Sequence, residues 1–171
     1  MEFKSENAVE LLSAWKEQLS MTDAGEVIVD GTPVVIIKKD IFFYFYDRIT
    51  KIIGPPSATL LYFVGEDYGR NFYRDFAGES EEVIKNLCDA VAASGIGNVR
   101  IETGQNSITV TAEEGLPIGK KAKGRAADSY FAGFFAGFFS QLYGRRYEGM
   151  EEECIAKGDA KCRIVLRERE D

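Results

Sequence analysis

The sequence predicts an α+β fold, an antiparallel sheet of hairpins packed against a layer of helices. Three observations lead there. Strand-like runs come in pairs around turn residues, as hairpins do, instead of singly between helices. Helical patterns come in an uninterrupted run in the first half of the chain, which is not the alternation of a doubly wound parallel sheet. The 171 residues carry no repeat, no low-complexity stretch and no clear linker, so one domain over residues 1–171 is the simplest count.

The elements follow in order. Residues 6–20 have the spacing of an amphipathic helix, with Val9, Leu12, Leu19 and Trp15 facing inward and Ser5 or Asn7 as its cap. Glu26–Val29 and Val34–Lys39 read as two strands around an Asp30-Gly31 turn. A helix over 40–53 opens on Asp40 and stops at Gly54-Pro55-Pro56. Ser57–Phe76 and residues 80–93 are the next helices, closed by Gly78 and by Ser94-Gly95. Asn98–Glu102 and Ser107–Ala112 form a second hairpin, and residues 113–124 a loop. Ala126–Tyr143 is an aromatic helix, and Tyr147–Ala156 with Lys161–Arg167 closes the chain as a third hairpin.

Composition excludes several functions. Lys plus Arg is 21 against 28 for Asp plus Glu, a formal charge of −7, which argues against a partner held by its phosphates, so no nucleic acid is expected. Histidine is absent, which removes Ser-His-Asp and Cys-His catalysis and any His-ligated metal. Three cysteines are too few, and odd in number, for a secreted disulfide scaffold. The most apolar run, residues 130–139, is about half of the ~20 residues needed to span a bilayer, and the N-terminus has no apolar signal core. A soluble cytoplasmic protein without a membrane partner is the expectation. Gly95-x-Gly97 lacks the strand and the third glycine of a dinucleotide fingerprint. Lys120, Lys121, Lys123 and Arg125 read as a solvated loop.

Of the 21 aromatic residues, 19 fall in three clusters: 42–46, 62–76 and 130–147. All three lie mainly on predicted helices. In the last, Phe131, Phe134, Phe135, Phe138 and Leu142 make one bulky stripe, with Gly133, Gly137 and Ser140 opposite. Glycine inside a helix costs about 0.5–1 kcal/mol relative to alanine, so the small face implies a backbone in close approach, either the sheet or a partner subunit. Aromatic stripes at helical spacing either pack solid or line a cavity. Three such helices in one small domain tilt the reading towards an apolar pocket, lined by Phe42, Tyr46, Tyr73, Phe131, Phe135 and Phe138.

The last hairpin carries Cys154 and Cys162, one on each arm, with Glu151, Glu152 and Glu153 just before. A loop centred on Gly158 sets the two cysteines opposite each other. A two-residue Gly158-Asp159 turn would put their sulfurs on opposite faces. If they meet, two thiolates and nearby carboxylates suit zinc, while a disulfide or two structural thiols remain the rivals. Cys88, between Leu87 and Val91, reads as core.

Residues 128–165 resemble the C-terminal signature of the vinyl-4-reductase domain family. That pattern has a Cys, a Gly five positions on, a second Gly four later, then Glu-x-x-Cys-x7-Cys. Here it is met by Gly133, Gly137, Glu151, Cys154, Gly158 and Cys162, in a stretch ending ECIAKGDAKCRIVL. Tyr62, Gly65 and Gly69 extend the likeness upstream more weakly. The resemblance implies a fold like the vesicle-tethering TRAPP subunits, homodimerisation, and a buried pocket for an apolar small molecule. In the family's aromatic-responsive sensor domains the first Cys, the Glu and the last two Cys hold zinc. The first Cys position is Asp128 in this chain, so the implied structural zinc site is Asp128, Glu151, Cys154 and Cys162, a harder and weaker ligand set. Glu151 has the wrong strand parity to share a face with Cys154. It needs a bulge or a strand end, unless Glu152 or Glu153 substitutes.

The expected function is non-enzymatic binding or sensing of a hydrocarbon or aromatic molecule, with any signal passed to a separate partner. The zinc would pin the last hairpin beside the aromatic helix with no open coordination position. Two alternatives stand beside this: a reductase or accessory protein of tetrapyrrole vinyl-group metabolism, and a dimeric assembly module without ligand.

Overall fold

The computed structural model describes residues 1–38, 40–114 and 128–169. Five strands form the main sheet: β1 (Glu2–Lys4), β5 (Arg100–Thr103), β6 (Ser107–Ala112), β7 (Tyr147–Glu153) and β8 (Cys162–Glu168). Their order is β1-β5-β6-β8-β7, and every neighbouring pair is antiparallel. A small separate sheet holds β2 (Ser20–Met21), β3 (Val27–Val29) and β4 (Thr32–Val34). The helices are α1 (Ala8–Glu17), α2 (Ile41–Ile53), α3 (Ser57–Phe72), α4 (Ser80–Ala93) and α5 (Ser129–Tyr143). The architecture is α+β, and no helix among the described residues is long and apolar enough to cross a membrane.

α5 is the centre of the molecule. Every residue from Phe131 to Ser140 is buried, so the helix is enclosed on all sides and not on one stripe. One side packs on β7 and β8. The opposite side packs on α3 through four glycines. A methyl group on Gly65 or Gly69 would collide with the carbonyl oxygens of Tyr130 and Phe134, and one on Gly133 or Gly137 with those of Tyr62 and Glu66. The close neighbour of the small face is therefore another helix of the same chain, in place of the expected sheet or partner subunit. Such an approach lets backbones touch and recovers dispersion contact that larger side chains would block.

α4 covers β1 and β5 with Val83, Ile84, Leu87, Cys88 and Val91. Burial pushes the Cys88 thiol up to about 12, aided by Asp89 next to it, so it is an inert core group.

α1 packs on α4, but not by the expected residues. Val9, Leu12 and Leu19 are exposed, and Ala8, Leu11 and Trp15 take the inner side. The phase is set by an anchor absent from the helix itself. Asp89 of α4 accepts hydrogen bonds from the Ser5 hydroxyl and the Glu6 and Asn7 backbone N–H groups at 2.8–2.9 Å. Asn7 is the N-cap residue, yet its side chain makes no capping bond, because Asp89 does the capping from α4.

Other boundaries shift for local reasons. Asp30 and Gly31 both have positive φ, the primed turn that matches strand twist, so the first hairpin forms as predicted. Its second strand ends at Val34 instead of starting there, and residues 35–37 are exposed. β1 and β2 were not predicted; three and two residues are too short for a periodic signal. α3 gives way to a 3-10 turn at Tyr73–Asp75. The second hairpin and α4 lie within two residues of prediction. The basic run of 120–125, most of the 113–124 loop, and residues 126–127 of the predicted aromatic helix lie outside the described residues.

Two outcomes are expected. Gly133→Ala or Gly137→Ala should cost at least about 2 kcal/mol in urea unfolding, because backbone must move to admit the methyl. The second concerns pH. Burial alone would raise the Asp89 carboxyl, but the hydrogen bonds from Asn7, Ser5 and Glu6 outweigh it and hold it below the usual carboxylate value. Its stabilisation is complete above the unfolded aspartate value of ~3.9 and is lost as pH falls through the lower folded value. Asp89→Asn should therefore flatten the acid limb of the stability profile and cost about 1 kcal/mol at pH 7.

Candidate metal centre and apolar cavity

The last hairpin brings the four acidic and cysteine residues together. β7 and β8 pair in one register from Tyr147↔Glu168 to Glu151↔Ile164, then shift so that Glu153 opposes Arg163. The irregularity at Glu152 is the bulge that Glu151 requires to turn inward. Continued past Glu153, the new register sets Cys154 opposite Cys162. The loop between them is pinned: Cys154 N–H donates to the Asp159 carboxylate at 2.7 Å, and the N–H groups of Lys157 and Asp159 donate back to the Cys154 carbonyl. Gly158 supplies the positive φ, +106°, at which the chain turns.

Asp128 comes from the N-terminus of α5, as its N-cap residue, and its own N–H donates to Glu151 Oε2 at 3.1 Å. One ligand atom from each of Asp128, Glu151, Cys154 and Cys162 lies within 4.8 Å of the others. Cys154 and Asp128 are fully buried and Cys162 is 1 % exposed. The second oxygen of Glu151, Oε1, is buried without a hydrogen-bond partner among the described residues.

This donor set fits a divalent metal. Ligand atoms around tetrahedral zinc sit roughly 3.3–3.8 Å apart, so small side-chain rotations close the cluster. Two carboxylates held side by side out of water repel, and a cation relieves that repulsion as well as satisfying Glu151 Oε1. Glu152 and Glu153 do not compete for the position. Both are drawn outward by ion pairs, Glu152 to Arg163 and Arg167, and Glu153 to Arg163.

A cavity of ≈300 Å³ lies beside the start of α5. Its wall is Phe42 of α2, Tyr68 and Phe72 of α3, Ala90 and Val91 of α4 with Ser94 and Ile96 after it, and Tyr130, Phe131, Phe134 and Phe135 of α5. Of the six residues predicted for a pocket, Phe42, Phe131 and Phe135 line it. Tyr46, Tyr73 and Phe138 do not. Tyr46 is buried on α2, and Tyr73 meets Phe138 edge to face at 5.5 Å. The 3-10 turn explains this displacement, since it swings Tyr73 and Phe76 onto Phe138 and closes that side solid. The small residues of α4 were missed. Their only sequence signal is the Ala-Val-Ala-Ala run, which leaves space where larger side chains would fill it.

A second, more open groove of ≈380 Å³ runs between α3 and β7 and is mixed in character. At its floor the Tyr62 hydroxyl accepts a 3.0 Å hydrogen bond from Gly149 N–H. Burial raises the Tyr62 pKa, only partly offset by that bond.

With this geometry in view, comparison with known proteins is informative. Residues 119–168 match the vinyl-4-reductase domain. The matched segment thus holds α5, the last hairpin and all four clustered residues. No curated protein matches the chain in sequence. Among solved structures, the phenol-responsive sensory domain of the transcription activator PoxR with phenol is similar at a TM-score of 0.75 and 15% identity, over 96% of this chain and 91% of that one. A vinyl-4-reductase family protein from Methanocaldococcus jannaschii follows at TM-score 0.60 and 17% identity, over 97% of both chains. A trafficking protein particle complex subunit 3 from Naegleria fowleri, covalently bound to palmitic acid, reaches 0.56 and 15%, over 77% of this chain and 95% of that one. At such identities these likenesses establish the fold, which is that of vinyl-4-reductase family proteins and TRAPP-type subunits.

The cluster generates a direct test. Protein stripped with chelator and titrated with zinc should take up close to one ion per chain with a rise in melting temperature. Cys154→Ser should abolish most of that rise, and uptake should weaken as pH falls and the thiols hold their protons.

Proposed function

We propose that this chain is a sensor or carrier domain that binds an apolar small molecule, a hydrocarbon or simple aromatic, in the cavity beside α5. The reading rests on the cavity itself. An enclosed apolar space of about 150 Å³ already takes benzene. This one is ≈300 Å³, walled mostly by rings and aliphatic groups. An assembly module without ligand would gain more stability by filling that space. The likeness in fold to a domain described as phenol-responsive agrees with this reading. The reading assigns the chain no chemical step.

A structural zinc on Asp128, Glu151, Cys154 and Cys162 belongs to the same proposal. Bound, it would neutralise the paired carboxylates and tie the last hairpin to the first turn of α5, next to the cavity wall. A homodimer also belongs to it. Tyr44, Phe45 and Ile52 on α2, and Leu60, Phe63 and Val64 on α3, are between 45% and 81% exposed, and apolar surface of this kind is commonly covered by another protein. Any response to the ligand would pass through that or another partner.

Native mass spectrometry of the purified protein should report two subunits, and toluene should bind and raise the melting temperature. Phe131→Trp, which fills the cavity, should weaken toluene binding at least about tenfold while the dimer stays folded. Undiminished binding in that variant would place the guest elsewhere.

A further inference from the structure

The cavity wall holds no charged side chain, but it is not wholly apolar. It contains three hydroxyl groups, of Tyr68, Tyr130 and Ser94. Elsewhere in this protein buried tyrosine hydroxyls have structural work, as Tyr62 does in holding Gly149. Tyr68 and Tyr130 differ. Their rings are fixed by neighbours in the wall: Tyr68 lies 5.8 Å from both Phe72 and Phe134, and Tyr130 lies 5.3 Å edge-on from Phe131. Their hydroxyls, however, donate to and accept from no other described residue. Ser94 Oγ donates to the Val91 carbonyl at 2.9 Å and keeps its own lone pairs for a donor. Two ring-locked hydroxyls and one acceptor therefore border an otherwise greasy space.

We infer that the cavity selects an uncharged guest that carries one hydrogen-bonding group on an apolar body, and that Tyr68 and Tyr130 read that group. This deepens the ligand-binding reading above and rests on it. A hydroxyl head can both donate and accept, so it meets tyrosine and serine oxygens alike. A carboxylate would enter a wall with no Lys or Arg, in a chain with no His, and would lose its hydration without gaining a cation. The phenols cannot assist by ionising. Burial pushes Tyr130 up to about 12, with the Tyr68 phenol adding to the rise, and burial raises Tyr68 as well, so both are neutral donors at physiological pH. An ammonium guest fares no better, since no carboxylate lines the wall. The volume adds a size limit: ≈300 Å³ takes a single ring with a short substituent, not a fused polycycle with several.

The test uses three guests on one seven-carbon skeleton, toluene, benzyl alcohol and benzoate, titrated calorimetrically into the full chain. Benzyl alcohol should bind about 3–10-fold more tightly than toluene, the size of one net hydrogen bond. Benzoate should bind at least about 100-fold more weakly than benzyl alcohol. Tyr130→Phe and Tyr68→Phe together should erase the benzyl alcohol advantage and leave toluene unchanged. Because neither hydroxyl is bonded within the described protein, the double variant should keep its melting temperature, which separates loss of reading from loss of fold. If toluene binds but benzyl alcohol gains nothing, if the double variant keeps the full advantage, or if benzoate binds as well as the alcohol, this inference is overturned while the apolar cavity stands. If none of the three binds, the ligand-binding reading itself falls.

Discussion

The contact of two helix backbones across four glycines is the constraint from which the rest of the molecule follows. Gly65 and Gly69 on α3 meet Gly133 and Gly137 on α5, each lying against a carbonyl of the other helix. With no side chains between them, the helices interlock rather than merely pack, and α3 cannot slide along α5. The rings that flank the crossing, Tyr68 and Phe72 on one helix and Phe134 on the other, are thereby thrown to one side and meet each other there. The cavity is bounded by what the crossing pushes outward. The intrinsic cost of four glycines in helix interiors, about 0.5–1 kcal/mol each, is offset by that fit.

α5 also joins the metal cluster to the cavity. Asp128 stands at its N-terminus, and Tyr130, Phe131, Phe134 and Phe135 occupy the next two turns. A helix already enclosed on all sides transmits displacement instead of absorbing it. Ordering of its first turn by a cation and ordering of the wall by a guest therefore act on the same rigid body. Linkage makes any such coupling reciprocal.

Much of this was legible in the sequence, for identifiable reasons. The spacing of Cys154, Gly158 and Cys162 is local and fixes its own hairpin, and strand parity alone demanded a bulge near Glu151. The glycine pairs were visible too, but spacing names a small face, not what lies against it, and that partner is a tertiary fact. α1 failed for the same reason. Its apolar residues admit two phases, and the choice was made by Asp89, 82 residues beyond Asn7. The cavity was half legible. Large rings announce themselves, whereas Ala90, Val91 and Ser94 shape it by what they leave vacant.

The Tyr62 hydroxyl bonded to Gly149 N–H has a consequence outside ligand and metal. β7 is the free margin of the main sheet, and such a margin offers its unspent amide groups to any passing chain. Here one of those amides is occupied by a side chain from α3, and Glu148, Glu152 and Glu153 add negative charge along the same strand. A foreign strand would have to displace the phenol and approach several carboxylates at once. The protein is thus guarded against fibril-like stacking at the place where its architecture is most vulnerable to it.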